Sequence, residues 1–189
     1  MKKDIILCGV GGQGILSIAT VIGAAATRCG LYLKQAEVHG MSQRGGDVES
    51  DLRLSEEPIW SDLIPDGGAD LIISMEPMEA LRYLPRLSPR GTVITASKPL
   101  VNIPDYPPME EIDRALDALP SVVKLDIEAI SKETGNPRGA NMVLLGAAAR
   151  HIEITSVPAL ADAVAEVFRA KGPAVVEANL KSFIKGTEQ

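Results

Sequence analysis

An apolar strand that ends in glycines and passes directly into a small-residue helix leaves a chain few ways to fold, and residues 5–28 have that form. Ile5-Ile6-Leu7-Cys8 is continuously apolar, as expected of a strand covered on both faces in an α/β sheet. Gly9-Val10-Gly11-Gly12-Gln13-Gly14 follows, and then Ile15 to Ala26, mostly Ala, Ile, Leu and Val without proline. Such a run suits a helix pressed against a sheet. A strand, a glycine turn and a helix start in this order gather unpaired N–H groups at one point, which attracts anions and phosphates above all.

Gly9, Gly11 and Gly14 satisfy G-x-G-x-x-G with a strand before and a helix after. The acid that completes a dinucleotide fingerprint is expected about 20 residues on, at the end of the second strand. Here Lys34 and Gln35 fill that span and Glu37 comes late. Close packing of helix on strand therefore accounts for the glycines better than a dinucleotide does, and the nucleotide reading stays open behind it.

The remaining elements follow in order. Gly30 stops the first helix, and 31–38 reads as a second strand. A polar, glycine-bearing loop, His39-Gly40-Met41-Ser42-Gln43-Arg44-Gly45-Gly46, leads to a third strand over 47–55. No crossover helix separates these two strands, so they pair antiparallel and the sheet is mixed. The alternating polarity of 47–55 places this third strand toward an edge with one face wet. Residues 56–68 form loops around Pro58, Pro65 and Gly67-Gly68. The one tryptophan, Trp60, lies there, either as an anchor for a partner protein or as a local cap over the core. A compact βαβ unit spans 71–95. A helix over 109–119, a strand over 122–125 and helices over 126–134, 142–150, 157–170 and 173–185 complete the chain, and the tail 186–189 frays. The expected architecture is a single α/β domain over 1–189: three layers, α/β/α, around a Rossmann-like, mostly parallel but mixed sheet.

Composition narrows function by exclusion. The 189 residues carry a net charge of −6 with no basic stripe, which argues against nucleic acid as a partner. No apolar run reaches the length of a bilayer span and no signal-peptide pattern opens the chain, so a cytoplasmic protein without membrane contact is expected. Cys8 and Cys29 are the only cysteines and His39 and His151 the only histidines. Two thiols cannot hold an iron–sulfur cluster, which usually needs four, so both read as small apolar residues, and no metal site is expected. No G-x-S-x-G elbow, Walker lysine or H-E-x-x-H motif is present. No catalytic residue can be assigned, and the chain reads as a binding module or as a subunit that completes another chain's active site.

The loop 39–46 is the most chemically loaded stretch. Arg44 supplies a permanent forked cation, Gly45 and Gly46 free backbone N–H groups beside it, and His39, Ser42 and Gln43 add hydrogen-bonding capacity. Together they suit a carboxylate, a phosphate or the acidic surface of a partner. In a mainly parallel sheet this loop leaves the same carboxyl edge as the glycine turn, where α/β proteins place ligands.

Gly9-Val10-Gly11-Gly12-Gln13-Gly14-Ile15, then Glu37-Val38-His39-Gly40-Met41-Ser42-Gln43-Arg44-Gly45-Gly46, then Asn141-Met142-Val143-Leu144-Leu145-Gly146 together resemble the gamma-type subunits of 2-oxoacid:ferredoxin oxidoreductases over nearly the whole chain. The H-G-M-S-Q-R-G-G loop is most similar to that of the indolepyruvate ferredoxin oxidoreductase beta subunits. The resemblance implies an enzyme that oxidatively decarboxylates an arylpyruvate to an acyl-CoA and passes electrons to ferredoxin. It implies that thiamine diphosphate and the iron–sulfur clusters reside on a larger catalytic partner subunit, with CoA as co-substrate and no cofactor on this chain alone. Isolated, the chain is expected to be inactive and could form a homodimer. On this reading Gly11, Gly12, Gln13 and Arg44 face the shared cleft or the CoA path. Two other readings remain: a stand-alone Rossmann-like nucleotide-binding oxidoreductase, and a purely structural subunit.

Overall fold

The computed structural model describes residues 1–39 and 46–189. In chain order the elements are β1 (Lys2–Val10), α1 (Ile15–Arg28), β2 (Tyr32–His39), β3 (Asp47–Ser55), β4 (Ala69–Ser74), α2 (Pro77–Arg82), β5 (Leu87–Ala96), α3 (Met109–Asp117), β6 (Val122–Leu125), α4 (Ile127–Glu133), α5 (Ala140–Ile152), α6 (Val157–Phe168) and α7 (Pro173–Thr187). The strands form one sheet in the order β2-β3-β1-β4-β5-β6. β3 is antiparallel to both β2 and β1, and the pairs β1–β4, β4–β5 and β5–β6 are parallel. None of the described helices is long and apolar enough to cross a membrane.

Alternation along each strand sorts the apolar residues into two layers. Ile5, Leu7, Leu71, Ile73 and Ile94 join α1, α5, α6 and α7 in one core. Ile6, Cys8, Ile72 and Val93 join α2 and α3 in a smaller one through Ala80, Ile112 and Leu116. The helix after β1 thus covers one face and the helix after β4 the other, although these strands are neighbours. Such a reversal opens a crevice at their carboxyl ends.

The sequence expectation fails in part at β3. The strand does lie toward an edge, second to β2, but its polar face is not wet. Asp51 is buried. Arg53 grips the fully buried Asp4, its cross-strand partner on β1, through two bonds of 2.9 and 3.1 Å. Arg86 reaches in from the turn after α2 to bind both Glu49 and Asp51. α1 packs on the opposite, apolar face of β3 through Leu52 and Leu54; no described helix packs on the polar face. The loop 56–66 covers it instead, with Ile64 packed into the smaller core. Alternation alone cannot separate a solvated face from one whose charges are neutralised by distant residues.

The tail also departs from expectation. α7 continues to Thr187, and Gly186 is buried against Gly146 of α5. A Cβ on Gly146 would lie 2.1 Å from the Phe183 carbonyl oxygen, so the small residues of α5 serve a helix–helix contact. Cys8 is buried as expected, but Cys29 is exposed rather than packed.

Three outcomes follow for stability. Gly146→Ala forces α5 and α7 apart and is expected to cost about 3 kcal/mol by chemical denaturation. Arg53→Met leaves the buried Asp4 carboxylate with the part-exposed Lys2 ammonium at 2.8 Å as its one ion-pair partner among the described residues. It is expected to cost about 3 kcal/mol in the same assay, the lower end for a broken buried pair. Burial holds the Glu49 carboxyl above its ordinary value of 4.5, despite Arg86. A raised carboxyl favours folding below that value and loses this contribution as pH rises through the folded-state value. The melting temperature of Glu49→Gln should therefore gain on the parent protein as pH is raised from about 4.5 toward neutrality; a constant difference would exclude this origin.

Candidate functional site

The glycine turn is held from both sides. Gln13 turns back on it: its Oε1 accepts the Val10 N–H at 2.7 Å, and its Nε2 donates to the Met75 carbonyl at 3.1 Å. The turn is thereby tied to the end of β4, whose next residue, Met75, donates its N–H to the Cys8 carbonyl at 3.0 Å. The Gly11 N–H donates to the Gly46 carbonyl at 2.8 Å. Gly14, with φ 86°, caps α1 and accepts a 3.2 Å bond from the Asn141 side chain. A Cβ on Gly14 would meet that same amide at 2.6 Å. Gly9 is buried, with no room for a Cβ beside Gln13 and Ile15.

Among the predicted residues, Gly9, Gly11, Gln13 and Gly14 are thus committed to the scaffold through backbone or side chain. Gly12 differs. It is exposed, has φ 102°, and no atom lies within 4 Å of where its Cβ would be. It lines two hollows. One, of about 310 Å³, opens toward Ser17 and Val48. The other, of about 390 Å³, runs along the carboxyl ends of β1, β4, β5 and β6 and is bounded by Lys98, Asp126, Arg138 and Asn141.

His39 ends β2 in register with Val48 of β3, which is in turn opposite Gly9 of β1. Gly46 precedes β3 and is bonded to Gly11. The two flanks of the polar loop therefore stand at the same sheet edge as the glycine turn. Ser42, Gln43, Arg44 and Gly45 lie outside the described residues.

The larger hollow contains groups that residue-by-residue reading missed. Lys98, after β5, pairs with Asp126, after β6, at 2.5 Å. That ammonium and the Ala129 N–H hold the Asp126 carboxyl below its usual range. Arg138 is exposed and has no ion-pair or hydrogen-bond partner among the described residues. α1 and α5 both begin here, neither with a capping side chain nor with an acid in its first turn. Two helix starts without such caps, next to one unpaired guanidinium, favour an anionic group. Lys98 and Arg138 sit alone on separate loops, so no spacing links them. The one available signal is an acid-free helix start after Pro137.

Two other chemistries find less support in the geometry. In a dinucleotide fold the ribose acid sits on the strand beside β1; here β3 occupies that place, and Lys34, Gln35 and Glu37 are on β2, one strand further out. The two cysteines do not fit a cluster either. Cys8 is buried in β1, where burial pushes its thiol up, and Cys29 is exposed past the end of α1. No group of three or more His, Cys, Asp or Glu side chains among the described residues could hold a metal ion.

The sequence pattern of the pyruvate ferredoxin/flavodoxin oxidoreductase family matches residues 4–189. The chain is 37% identical to the indolepyruvate oxidoreductase subunit IorB of Pyrococcus horikoshii, over 100% of this chain and 96% of that one. Its fold is similar to the gamma subunit of a keto/oxoacid ferredoxin oxidoreductase from Geobacter sulfurreducens, with a TM-score of 0.70, 25% identity and coverage of 98% and 96% of the two chains. It also matches part of the 2-oxoglutarate:ferredoxin oxidoreductase of Magnetococcus marinus, with a TM-score of 0.76 and 24% identity; 99% of this chain corresponds to 30% of that longer one.

The locking role of Gln13 can be checked directly. Gln13→Leu leaves the Val10 N–H and the Met75 carbonyl without their partner, at an expected cost of about 2 kcal/mol. Amide exchange at Val10 should accelerate while that in α6 stays unchanged; equal protection at Val10 would remove Gln13 from the scaffold.

Proposed function

The chain belongs to the pyruvate ferredoxin/flavodoxin oxidoreductase family and is a subunit of a 2-oxoacid:ferredoxin oxidoreductase; within that family we propose that its complex acts on indolepyruvate or a related arylpyruvate. The choice of 2-oxoacid is supported by full-length similarity to a subunit that carries the indolepyruvate name. Thiamine diphosphate and the iron–sulfur clusters belong to the larger catalytic partner, which supplies the decarboxylation and the electron path to ferredoxin. Nothing in the placement of Cys8 or Cys29 fits a cluster on this chain.

The contribution of this chain is to bind and orient an anion. The observation that carries this reading is the crevice at the β1–β4 reversal, where Gly12, the starts of α1 and α5 and the unpaired Arg138 come together. The co-substrate that suits it is CoA, whose phosphates are the multiply charged part of the reaction. Arg138 is the residue proposed to hold a phosphate, with the uncapped N–H groups beside it. Gly12, lacking a side chain, lets that group approach the backbone. Arg44 is proposed to act at the same edge, since the segment that carries it begins at His39 and ends at Gly46. Gly11, Gln13 and Gly14 keep this edge in shape.

The test is steady-state kinetics of the assembled enzyme. Arg138→Ala and Arg44→Ala are each expected to raise the KM for CoA by roughly tenfold, the loss of about one charge-assisted hydrogen bond. The KM for the 2-oxoacid and kcat at saturating CoA should stay unchanged. Unaltered CoA dependence with impaired assembly would favour a purely structural subunit. Tight binding of NAD(P) to the isolated chain would favour the nucleotide-binding reading.

A further inference from the structure

Trp60 is 93% exposed, the highest value among the large exposed hydrophobic side chains of the described residues. It does not cap the core. It stands on the loop 56–66, which also exposes Leu63 at 62%. Exposed tryptophan on a mobile loop would mean little, but this loop is fixed by residues buried in the sheet. Arg53 donates to the carbonyls of Ser61 and Leu63 at 3.1 and 3.0 Å. The Ile64 N–H donates to Asp51 at 3.0 Å, and the Ile64 carbonyl accepts from Arg86 at 2.9 Å. The Leu63 N–H closes onto the Ser61 hydroxyl at 3.2 Å. The charges inside β3 thus hold this loop in one shape with an indole projecting from it. A loop backbone held in this way loses little entropy when its exposed aromatic is covered.

The loop has a definite charge. Glu56, Glu57, Asp62 and Asp66 lie on the same loop as the aromatic, and no Lys or Arg occurs from 56 to 66. Glu56 is paired with the Met1 ammonium, which leaves Glu57, Asp62 and Asp66 as the loop's acids with no ion-pair partner among the described residues. Two copies of this loop would repel each other. The complement is an apolar pocket rimmed by basic side chains. The loop joins β3 to β4, and Ser55 at its start is opposite Lys2 at the beginning of β1. It therefore leaves the amino edge of the sheet, away from the crevice at the carboxyl edge, and a contact there would leave the crevice free.

We propose that the loop 56–66 is a docking knob, with Trp60 inserted into a basic-rimmed apolar pocket on the large catalytic subunit of the same enzyme. This rests on the reading of the chain as a subunit of such an enzyme. An exposed aromatic on an acidic loop is the anchor, and the acids set its register and association rate.

The experiment measures binding of this chain to its purified large subunit by calorimetry at low and high salt, with melting temperatures of every variant. Trp60→Ala is expected to weaken binding by roughly 30-fold or more with an unchanged melting temperature, and Trp60→Phe by less. The double reversal Glu57→Lys with Asp62→Lys should weaken binding at low salt, with the effect shrinking at high salt. Trp60→Ala binding as tightly as the parent chain overturns the proposal. So does a parent chain that sediments as a dimer and becomes monomeric on Trp60→Ala with its affinity for the large subunit intact, since the occupant would then be a second copy. A parent chain that does not bind the large subunit at all overturns the subunit reading together with this one.

Discussion

The ion pair between Asp4 and Arg53 allows a strand as polar as β3 to lie inside the sheet. An unpaired buried carboxylate would exclude that arrangement, and a solvated one would push β3 to the edge. With the pair formed, β3 sits between β1 and β2, antiparallel to both. The rest follows from this position. β2 becomes the edge strand, the segment between β2 and β3 begins and ends at the carboxyl edge, and the Gly46 carbonyl meets the Gly11 N–H. The same arginine turns its remaining donor outward to the loop 56–66. One buried interaction thus joins β3 to β1 and, together with Asp51 and Arg86, holds the loop that presents Trp60.

Within that frame the residues of the glycine turn divide their labour. The anion site proposed here needs backbone N–H groups that are fixed and still uncommitted, two demands that oppose each other. The structure meets them by spending the polar groups of Gln13, Gly11 and Gly14 on neighbouring elements and leaving Gly12 open. The Asn141 amide ties Gly14 to α5, so the two helix starts keep their relative position without a capping side chain at either. The hollow is lined by two cations, Lys98 and Arg138, and two acids, Asp126 and Glu128; Asp126 takes up the charge of Lys98, and Arg138 is left without a direct partner among the described residues.

Much of this was legible in the residues. The β1–turn–α1 unit, the antiparallel pairing of β2 with β3 and the parallel βαβ units are local or short-range, and their patterns appear where expected. The loops flanked by Glu37 and Gly46 and the run after Asn141 carried the family resemblance. What could not be read were contacts between residues far apart. Glu49, Asp51 and Arg53 alternate with apolar residues as a wet edge strand would, because the residues that neutralise them, Asp4 and Arg86, are 49 and 35 positions away from Arg53 and Asp51 respectively. Gly186 read as a fraying tail because its partner, Gly146, lies on another helix. Lys98 and Arg138 were invisible as a pair for the same reason.

The amino-acid sequence by itself determined the class of fold, the position of the glycine turn and the motifs that carry the family resemblance. These depend on the order of strand, turn and helix signals along the chain and on which side chains are present at all. Only the tertiary structure decided that β3 is interior, that Gly12 is the open glycine, that Arg138 stands unpaired beside it among the described residues and that Trp60 is held out in solvent. Each of these depends on what lies across the sheet or above it, and burial and pairing are properties of position in space, which local pattern does not carry.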